Sequence, residues 1–223
     1  MSCRRPTFRP RAFSTAITLV GLLGPTGCGY TGGKILYMLG AGREPLIEAE
    51  FHLTDGPVLI LVDDFGEVVD WPVAKRYLGG ALTTELIKRS AAKKIIPQRT
   101  LDDLRETDPG FDKRGCREVG QLAGAEQVLW LQARDFLASE SIDDLSNAAY
   151  FCVTVKVINV LEKERPSRVR LWPTGNDGYQ VVARLPGDAV ARLKTRDAIS
   201  KALAEQLAAQ VAKLFYDHRR NDS

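Results

Sequence analysis

Three aspartates are the side chains in this sequence best suited to chemistry. Asp63 and Asp64 directly follow the continuous apolar run of residues 58–62, and Asp135 lies at the end of a second, largely apolar run at residues 127–133. Ligand sites in α/β sheets favour the carboxyl ends of strands, and carboxylates that meet at one point hold divalent cations. One hypothesis is therefore a metal-dependent hydrolase in which the three carboxylates converge around an open pocket. In the alternative, one aspartate of the pair caps a turn and the other faces water.

Other catalytic and metal-binding patterns are missing from the sequence. His52 lies in a glycine-interrupted segment and His218 lies near the C-terminus, so neither is placed to anchor a catalytic triad or a dedicated zinc site. The sequence contains no G-x-S-x-G and no C-x-x-C motif. We therefore expect a protein that is not an enzyme and that has no cofactor, no metal and no catalytic residue.

The first 27 residues have the organisation of an export signal. Four arginines open the segment, an uncharged apolar run follows to about Leu23, and small or turn-forming residues precede Cys28. The apolar run is too short to cross a bilayer as a helix, which needs about 20 residues. The pattern predicts a signal peptide over residues 1–27 and therefore a protein of the cell envelope.

The end of this leader resembles the lipobox of bacterial lipoproteins, in which a cysteine receives a diacylglyceryl group and becomes the mature N-terminus. Gly27 and Cys28 match that pattern, whereas Pro25 stands where leucine is preferred. The resemblance implies fatty acyl chains, such as palmitate, on Cys28 and a protein anchored to the membrane and facing the periplasm. Gly29 is not the aspartate that resembles an inner-membrane retention signal, which favours the outer membrane. The alternative is a cleaved signal followed by an unmodified Cys28.

Composition excludes a nucleic-acid partner and leaves the cysteines undecided. The formal charge of the whole chain is +3, but residues 1–27 hold four arginines and no acidic residue, so the remaining chain has 27 basic residues (31 less four), 28 acidic residues and a charge of −1. No basic face for nucleic acid is expected. Cys116 and Cys152 are the remaining thiols after Cys3 and Cys28, and either a disulfide or two separate thiols fits the sequence.

After the leader, the sequence predicts a flexible tether over residues 28–56 and one α/β domain over residues 57–217. Turn signals bound a buried strand at residues 58–62, and the spacing of Leu78, Leu82 and Leu86 predicts a helix over residues 71–90. Gly79-Gly80 within this helix indicates a close crossing over the sheet. Apolar residues recurring every three or four positions predict one long final helix over residues 189–216.

The strand pattern indicates a mixed sheet. Alternation over residues 150–161 places apolar side chains on one face and Thr154 and Lys156 on the other, which predicts an antiparallel strand with one face partly wet. Residues 168–172 are its expected hairpin partner, and residues 179–185 form a further strand. A parallel start followed by antiparallel strands predicts an α/β (α+β) domain, with helices packed on a mixed sheet and a long C-terminal helix.

The rhythm of residues 119–129, Val-Gly-Gln-Leu-Ala-Gly-Ala-Glu-Gln-Val-Leu, is similar to that of one group of envelope proteins. The group comprises the curli-secretion lipoprotein, the N-terminal domain of the Tol-system translocation protein and the lipoprotein activators of peptidoglycan synthases. The resemblance covers residues 58–161 and carries no catalytic residue. It implies a non-enzymatic binding or assembly module that docks an envelope protein or polymer. We expect docking on the long final helix or an unpaired strand edge, while the oligomeric state stays open.

Overall fold

A mixed six-stranded sheet organises the part of the chain that the computed structural model describes, residues 45–139, 149–163, 165–175 and 177–220. A separate two-stranded sheet joins the two ends of this part. The strands are β1 (Leu46–Ile47), β2 (Pro57–Asp63), β3 (Lys94–Ile95), β4 (Gln127–Leu137), β5 (Ala149–Asn159), β6 (Arg170–Trp172), β7 (Tyr179–Leu185) and β8 (His218–Arg219). The α-helices are α1 (Val73–Lys88), α2 (Gln98–Thr107), α3 (Cys116–Leu122), α4 (Gly187–Leu193) and α5 (Arg196–Ala212).

The order of the strands explains why the sheet is mixed. β2 is parallel to both β3 and β4, whereas β5 is antiparallel to β4, β6 and β7. β6 and β7 follow one another along the same edge of β5, since Val157 lies opposite Trp172 and Val155 lies opposite Tyr179. The predicted α+β fold with a mixed sheet is confirmed.

Helices α1 and α5 cover one face of the sheet, which we call the first face. Leu78, Leu82 and Leu86 of α1 are fully buried there, as the spacing predicts. On α5 the same holds for Ile199, Leu203, Leu207 and Val211. These stripes pack against alternate residues of β2, β4, β5 and β7 and form the larger core. The hydrophobic effect of burying these side chains is the main force that holds the two helices on the sheet.

The final helix is shorter than predicted because the chain breaks before it. Lys194 has a φ angle of +63°, and the extended Thr195 begins α5 by accepting a hydrogen bond from the Ala198 amide at 3.3 Å. A threonine that caps a helix N-terminus is a start signal. The predicted single helix over residues 189–216 is therefore wrong in one respect: α4 and α5 are separate. α5 remains the long C-terminal helix, followed by a 3₁₀ turn at Lys213–Phe215.

Contacts with the domain begin before the predicted boundary at Pro57. β1 pairs antiparallel with β8, and the Phe51 amide donates to the Leu214 carbonyl at 3.1 Å. The Thr54 amide donates to Gln127 Oε1 at 3.1 Å. The last part of the segment predicted as a tether thus lies against the domain, while residues 28–44 and the predicted leader lie outside the described residues.

Gly79 makes room for a side chain rather than for the sheet. A Cβ atom at Gly79 would lie 3.0 Å from Gln98 Cδ, and Gln98 Nε2 donates to the Ile60 carbonyl of β2 at 3.0 Å. Gly80 has open space where its Cβ would lie. The expected close crossing of Gly79-Gly80 over the sheet is therefore wrong, because the glutamine lies between helix and strand.

Candidate functional site

The carboxylate of Asp64 organises the turn that follows β2. Asp64 Oδ1 accepts from the Val68 amide at 2.9 Å and Oδ2 accepts from the Val69 amide at 3.1 Å. Lys75 Nζ lies 3.6 Å from Oδ2, and only 2% of the Asp64 side chain is exposed. The turn-capping alternative describes this residue, because its oxygens are occupied by the chain itself.

Asp63 is held against the sheet by a tryptophan. Trp130 Nε1 donates to Asp63 Oδ2 at 3.2 Å, and the Asp64 amide donates to Oδ1 at 2.7 Å. Burial raises the pKa of the Asp63 carboxyl, and these two hydrogen bonds and Lys75 offset part of that rise. The expectation that the second aspartate of the pair simply faces water is therefore not met.

Asp135 lies farther along β4 than Gln132, which is the residue opposite Asp63, and a β-bulge decides on which face of the sheet it lies. The register of β4 and β5 shifts between Ala133 and Asp135, which places Asp135 opposite Cys152. Its carboxylate accepts a hydrogen bond from the Tyr150 hydroxyl and raises the pKa of that hydroxyl. Within residues 45–220, leaving aside the undescribed positions, no group of three or more His, Cys, Asp or Glu side chains is placed to hold a metal ion. Asp63, Asp64 and Asp135 do not converge as the hydrolase hypothesis requires.

The cleft beside Asp63 and Asp64, about 420 Å³ in volume, is lined by cations that already have acidic partners. Lys75 lies beside Asp64, and Arg105 Nη1 lies 3.6 Å from Asp102 Oδ1. Arg114 pairs with the nearby carboxylates of Asp108 and Glu118. The Arg114 pairs join the end of α2 to α3 through the turn between them, so these charges are engaged within the domain.

Further polar groups lie on the second face of the sheet, opposite the first face, and Trp130 joins them to Asp63. Helices α2 and α3 cover only part of this face, over an apolar cluster that includes Leu59, Leu61 and Val128. Beyond this cover, the register places Lys156 of β5 opposite Trp130 of β4. We call the group formed by Trp130, Gln132, Arg134, Thr154 and Lys156 the polar patch.

Lys156 is the centre of the polar patch. Its ammonium donates to Gln132 Oε1 at 2.7 Å and lies 4.9 Å from the centre of the Trp130 ring. Arg134 Nε donates to Thr154 Oγ1 at 2.9 Å. Thr154 and Lys156 are only 5% and 7% exposed, so the face predicted to be partly wet is polar but buried.

The turn before β7 covers this part of β5. Gly178 has a φ angle of +80°, and a Cβ atom there would overlap the Thr154 methyl and lie 2.8 Å from Lys156 Cε. The close approach of the Gly178 backbone is the physical reason why the lysine stem is buried.

An open cleft of about 560 Å³ lies next to the polar patch. It is lined by Cys116, Trp130, Ile158, Ser167, Val169, Arg170 and Thr174. Cys116 and Cys152 are both free, so the disulfide is not formed. Burial raises the pKa of the Cys116 thiol, which keeps it protonated and poorly nucleophilic. Gln180 Nε2 donates to Cys152 Sγ at 3.0 Å, in keeping with a structural thiol.

The remaining sequence candidates lie far from this patch or outside the description. His218 pairs with Ile47 in the two-stranded sheet, and His52 borders a separate cleft beside Arg89 and Tyr216. Cys28 lies outside the described residues. None of the helices within the described ranges is long and apolar enough to cross a membrane.

Sequence reasoning missed the buried lysine. Alternation in β5 correctly placed Lys156 on the face away from the larger core, but it gave no sign that Gly178 would cover that face. The available signal was the recurrence of polar residues at alternate positions on two neighbouring strands, at Gln132 and Arg134 and at Thr154 and Lys156.

Comparison with known proteins gives structural neighbours only. No protein-family model and no curated protein sequence matches the chain. The PelC dodecamer from Paraburkholderia phytofirmans is similar at 15% identity and a TM-score of 0.38, covering 78% of this chain and 99% of that one. Hypothetical protein CT253 from Chlamydia trachomatis is similar at 13% identity and a TM-score of 0.40, covering 73% of this chain and 98% of that one. Lipoprotein GNA1162 from Neisseria meningitidis is similar at 12% identity and a TM-score of 0.39, covering 70% of this chain and 97% of that one. At these scores the likenesses carry no inference about function.

Proposed function

We propose that this protein is a lipid-anchored, non-enzymatic binding module of the bacterial envelope, which docks an extended segment of a protein partner along β7. The observation that carries the proposal is the outer edge of that strand. β7 is seven residues long and pairs with β5 on one side. No other strand in the described part of the chain pairs with its second side. The free amides and carbonyls of such an edge accept another strand.

The arrangement of α5 favours the strand edge over the final helix as the docking surface. The apolar stripe of α5 is fully buried against α1 and the sheet, so the helix turns its polar residues, such as Lys201 and Glu205, outward. β7, in contrast, carries the exposed side chains Gln180 and Arg184, and Tyr179 is 39% exposed. A partner strand beside β7 would contact these side chains.

The hydrogen bonds and the ion pair of Asp63 and Asp64 support the non-enzymatic part of the proposal. Asp64 is engaged by two backbone amides and Lys75, and Asp63 by Trp130 and the Asp64 amide. Their oxygens therefore have roles in holding β2 and its turn. The anchor is supported by the arginine-rich leader and by the Gly27-Cys28 sequence at its end.

The anchor is tested by the intact mass of the mature protein from the membrane fraction, beside a Cys28→Ala variant. We expect a chain that starts at Cys28 and carries the mass of a diacylglyceryl group, and we expect both features to be lost in the variant. An unmodified protein in the soluble fraction would rule out the anchor.

Docking on β7 is tested by placing a photoreactive amino acid at Gln180 or Arg184 and irradiating intact cells. The matched control carries the same amino acid at Lys201, which is also exposed but lies on α5. We expect one discrete crosslinked product from both β7 positions and none from the control position. Crosslinks of equal yield from Lys201, or none from β7, would refute the edge as the docking surface.

A further inference from the structure

The polar patch contains a buried positive charge, that of Lys156, for which the described residues supply no ion-pair partner. Lys156 is 7% exposed, and within the described part of the chain its ammonium contacts Gln132 Oε1 and the Trp130 ring. Among the residues that the structure describes, no carboxylate lies within ion-pair distance of either Lys156 or Arg134. Removing an ammonium from water is costly unless an opposite charge is close. The fold thus bears a cost that an external anion would offset.

Two further cations lie around this ammonium. Burial lowers the pKa of Lys156, and the positive charges of Arg170 and Arg134 lower it further, so all three charges act on one another. The negative charge of Asp177 acts in the opposite direction and raises the pKa of Lys156. Arg134 is exposed and lies on β4, where it donates to Thr154. Arg170 lies on β6 and donates a hydrogen bond of 2.6 Å to the Gly175 carbonyl. Three cations that repel one another on one face of a sheet create a positive potential that attracts an anion.

The cleft beside Lys156 has the composition of a small-ligand site. Trp130 and Arg170 line the cleft, and the Lys156 ammonium lies 4.9 Å from the centre of the Trp130 ring. The hydroxyl groups of Ser167 and Thr174 add hydrogen-bonding capacity, and Trp130, Ile158 and Val169 form an apolar wall. Its volume of about 560 Å³ falls within the range of roughly 300–1,000 Å³ that ligand pockets occupy.

We propose that this cleft binds an oxyanion, a carboxylate or phosphate group carried on a small organic skeleton, with Lys156 and Arg170 supplying the opposite charge. The arginine guanidinium suits the planar, two-oxygen face of such a group, and the lysine ammonium acts as a point charge. Ser167 and Thr174 donate to the remaining oxygens, and the apolar wall contacts the carbon skeleton. This site is separate from the β7 edge and does not depend on the lipid anchor.

The test uses the full-length mature protein in detergent, titrated by calorimetry with glucuronate and with inorganic phosphate at constant ionic strength. Glucose is the uncharged match for glucuronate. The variant Lys156→Met removes the charge but keeps an unbranched stem against Trp130 and Gly178, and Lys201→Met is the surface control. We expect glucuronate or phosphate to bind the wild type and the control alike, and to bind Lys156→Met at least tenfold more weakly, which is about 1.4 kcal/mol.

A stability measurement separates this role from a purely structural one. Without any anion, Lys156→Met should melt at the same temperature as the wild type or higher, because the substitution removes an unpaired buried charge. If Lys156→Met fails to fold, Arg170→Gln provides the second variant, with the same expected loss of affinity. The proposal is overturned if neither anion binds the wild type, if glucose binds as tightly as glucuronate, or if the folded variant binds within twofold of the wild type.

Discussion

Replacing Gly178 by alanine should destabilise the domain, because the residue combines a positive φ angle with close packing against β5. The residue has a φ angle of +80°, where a Cβ atom costs about 1–2 kcal/mol for an ordinary residue. The added Cβ would also overlap the Thr154 methyl and lie 2.8 Å from Lys156 Cε, whereas carbon atoms pack best at about 3.5–4.0 Å. Overpacking of this kind costs about 1–3 kcal/mol.

We therefore expect Gly178→Ala to lower the free energy of unfolding by about 2–4 kcal/mol. Urea denaturation followed by circular dichroism measures this quantity in the linear-extrapolation analysis. Gly80→Ala is the matched control, because Gly80 lies within α1 and its Cβ would meet no atom within 4 Å. Alanine there should raise the free energy of unfolding by about 0.5–1 kcal/mol.

A double-mutant cycle identifies the cause of the effect. Thr154→Ser removes the methyl group that the new Cβ would overlap but keeps the hydroxyl that accepts from Arg134 Nε. Gly178→Ala should therefore cost about 1 kcal/mol less in the Thr154→Ser background than in the wild type. A coupling energy near zero, or a Gly178→Ala variant as stable as the wild type, would refute the close packing of this turn on β5.

Three further predictions concern the turn after β2 and the start of α5. Asp64→Ala should lower the free energy of unfolding by about 2–4 kcal/mol in urea, because it leaves two backbone amides and Lys75 without their acceptor; an effect as small as that of the exposed control Asp112→Ala would contradict this role. Burial raises the pKa of the Asp63 carboxyl in the folded state, so folding favours the protonated carboxyl. The stability that this preference contributes is present below the pKa of the unfolded state and is lost as pH rises through the pKa of the folded state. The melting temperature of the wild type minus that of Asp63→Asn should therefore fall over this pH interval, and a constant or rising difference would contradict the assignment. Thr195→Ala should cost about 1 kcal/mol, the usual value of an N-cap, and should speed hydrogen exchange in the first turn of α5 but not in α1.

The elements of the larger core could be predicted from neighbouring residues alone. The apolar run of residues 58–62 became the buried β2, and residues 179–185 became β7 within the predicted bounds. The spacing of Leu203, Leu207 and Val211 correctly identified the buried stripe of α5. Such patterns are readable because the period of a helix or strand is a property of consecutive residues. Thr195 is a typical N-cap residue, so the start of α5 could also have been predicted. The apolar spacing, taken without this signal, predicts α4 and α5 as one helix.

The candidate sites depended on contacts that no local pattern contains. The bulge after Ala133 moves Asp135 from the core-facing side of β4 to the side of Cys152, so a single extra residue decides which face carries the carboxylate. Alternation in β5 located Lys156 on the second face, but only the approach of Gly178 from the neighbouring turn buries it.

The sequence by itself therefore determined the leader pattern, the main helices and strands of the larger core and the mixed α+β class, because each follows from the order of adjacent side chains. Only the tertiary structure decided that Asp64 serves a turn, that Asp135 lies apart from it, and that Lys156 is buried. Those facts come from the lateral register of strands and from turns that fold back over them. Register and packing join residues that are distant in the chain, and the free energy of these contacts is set by the whole fold.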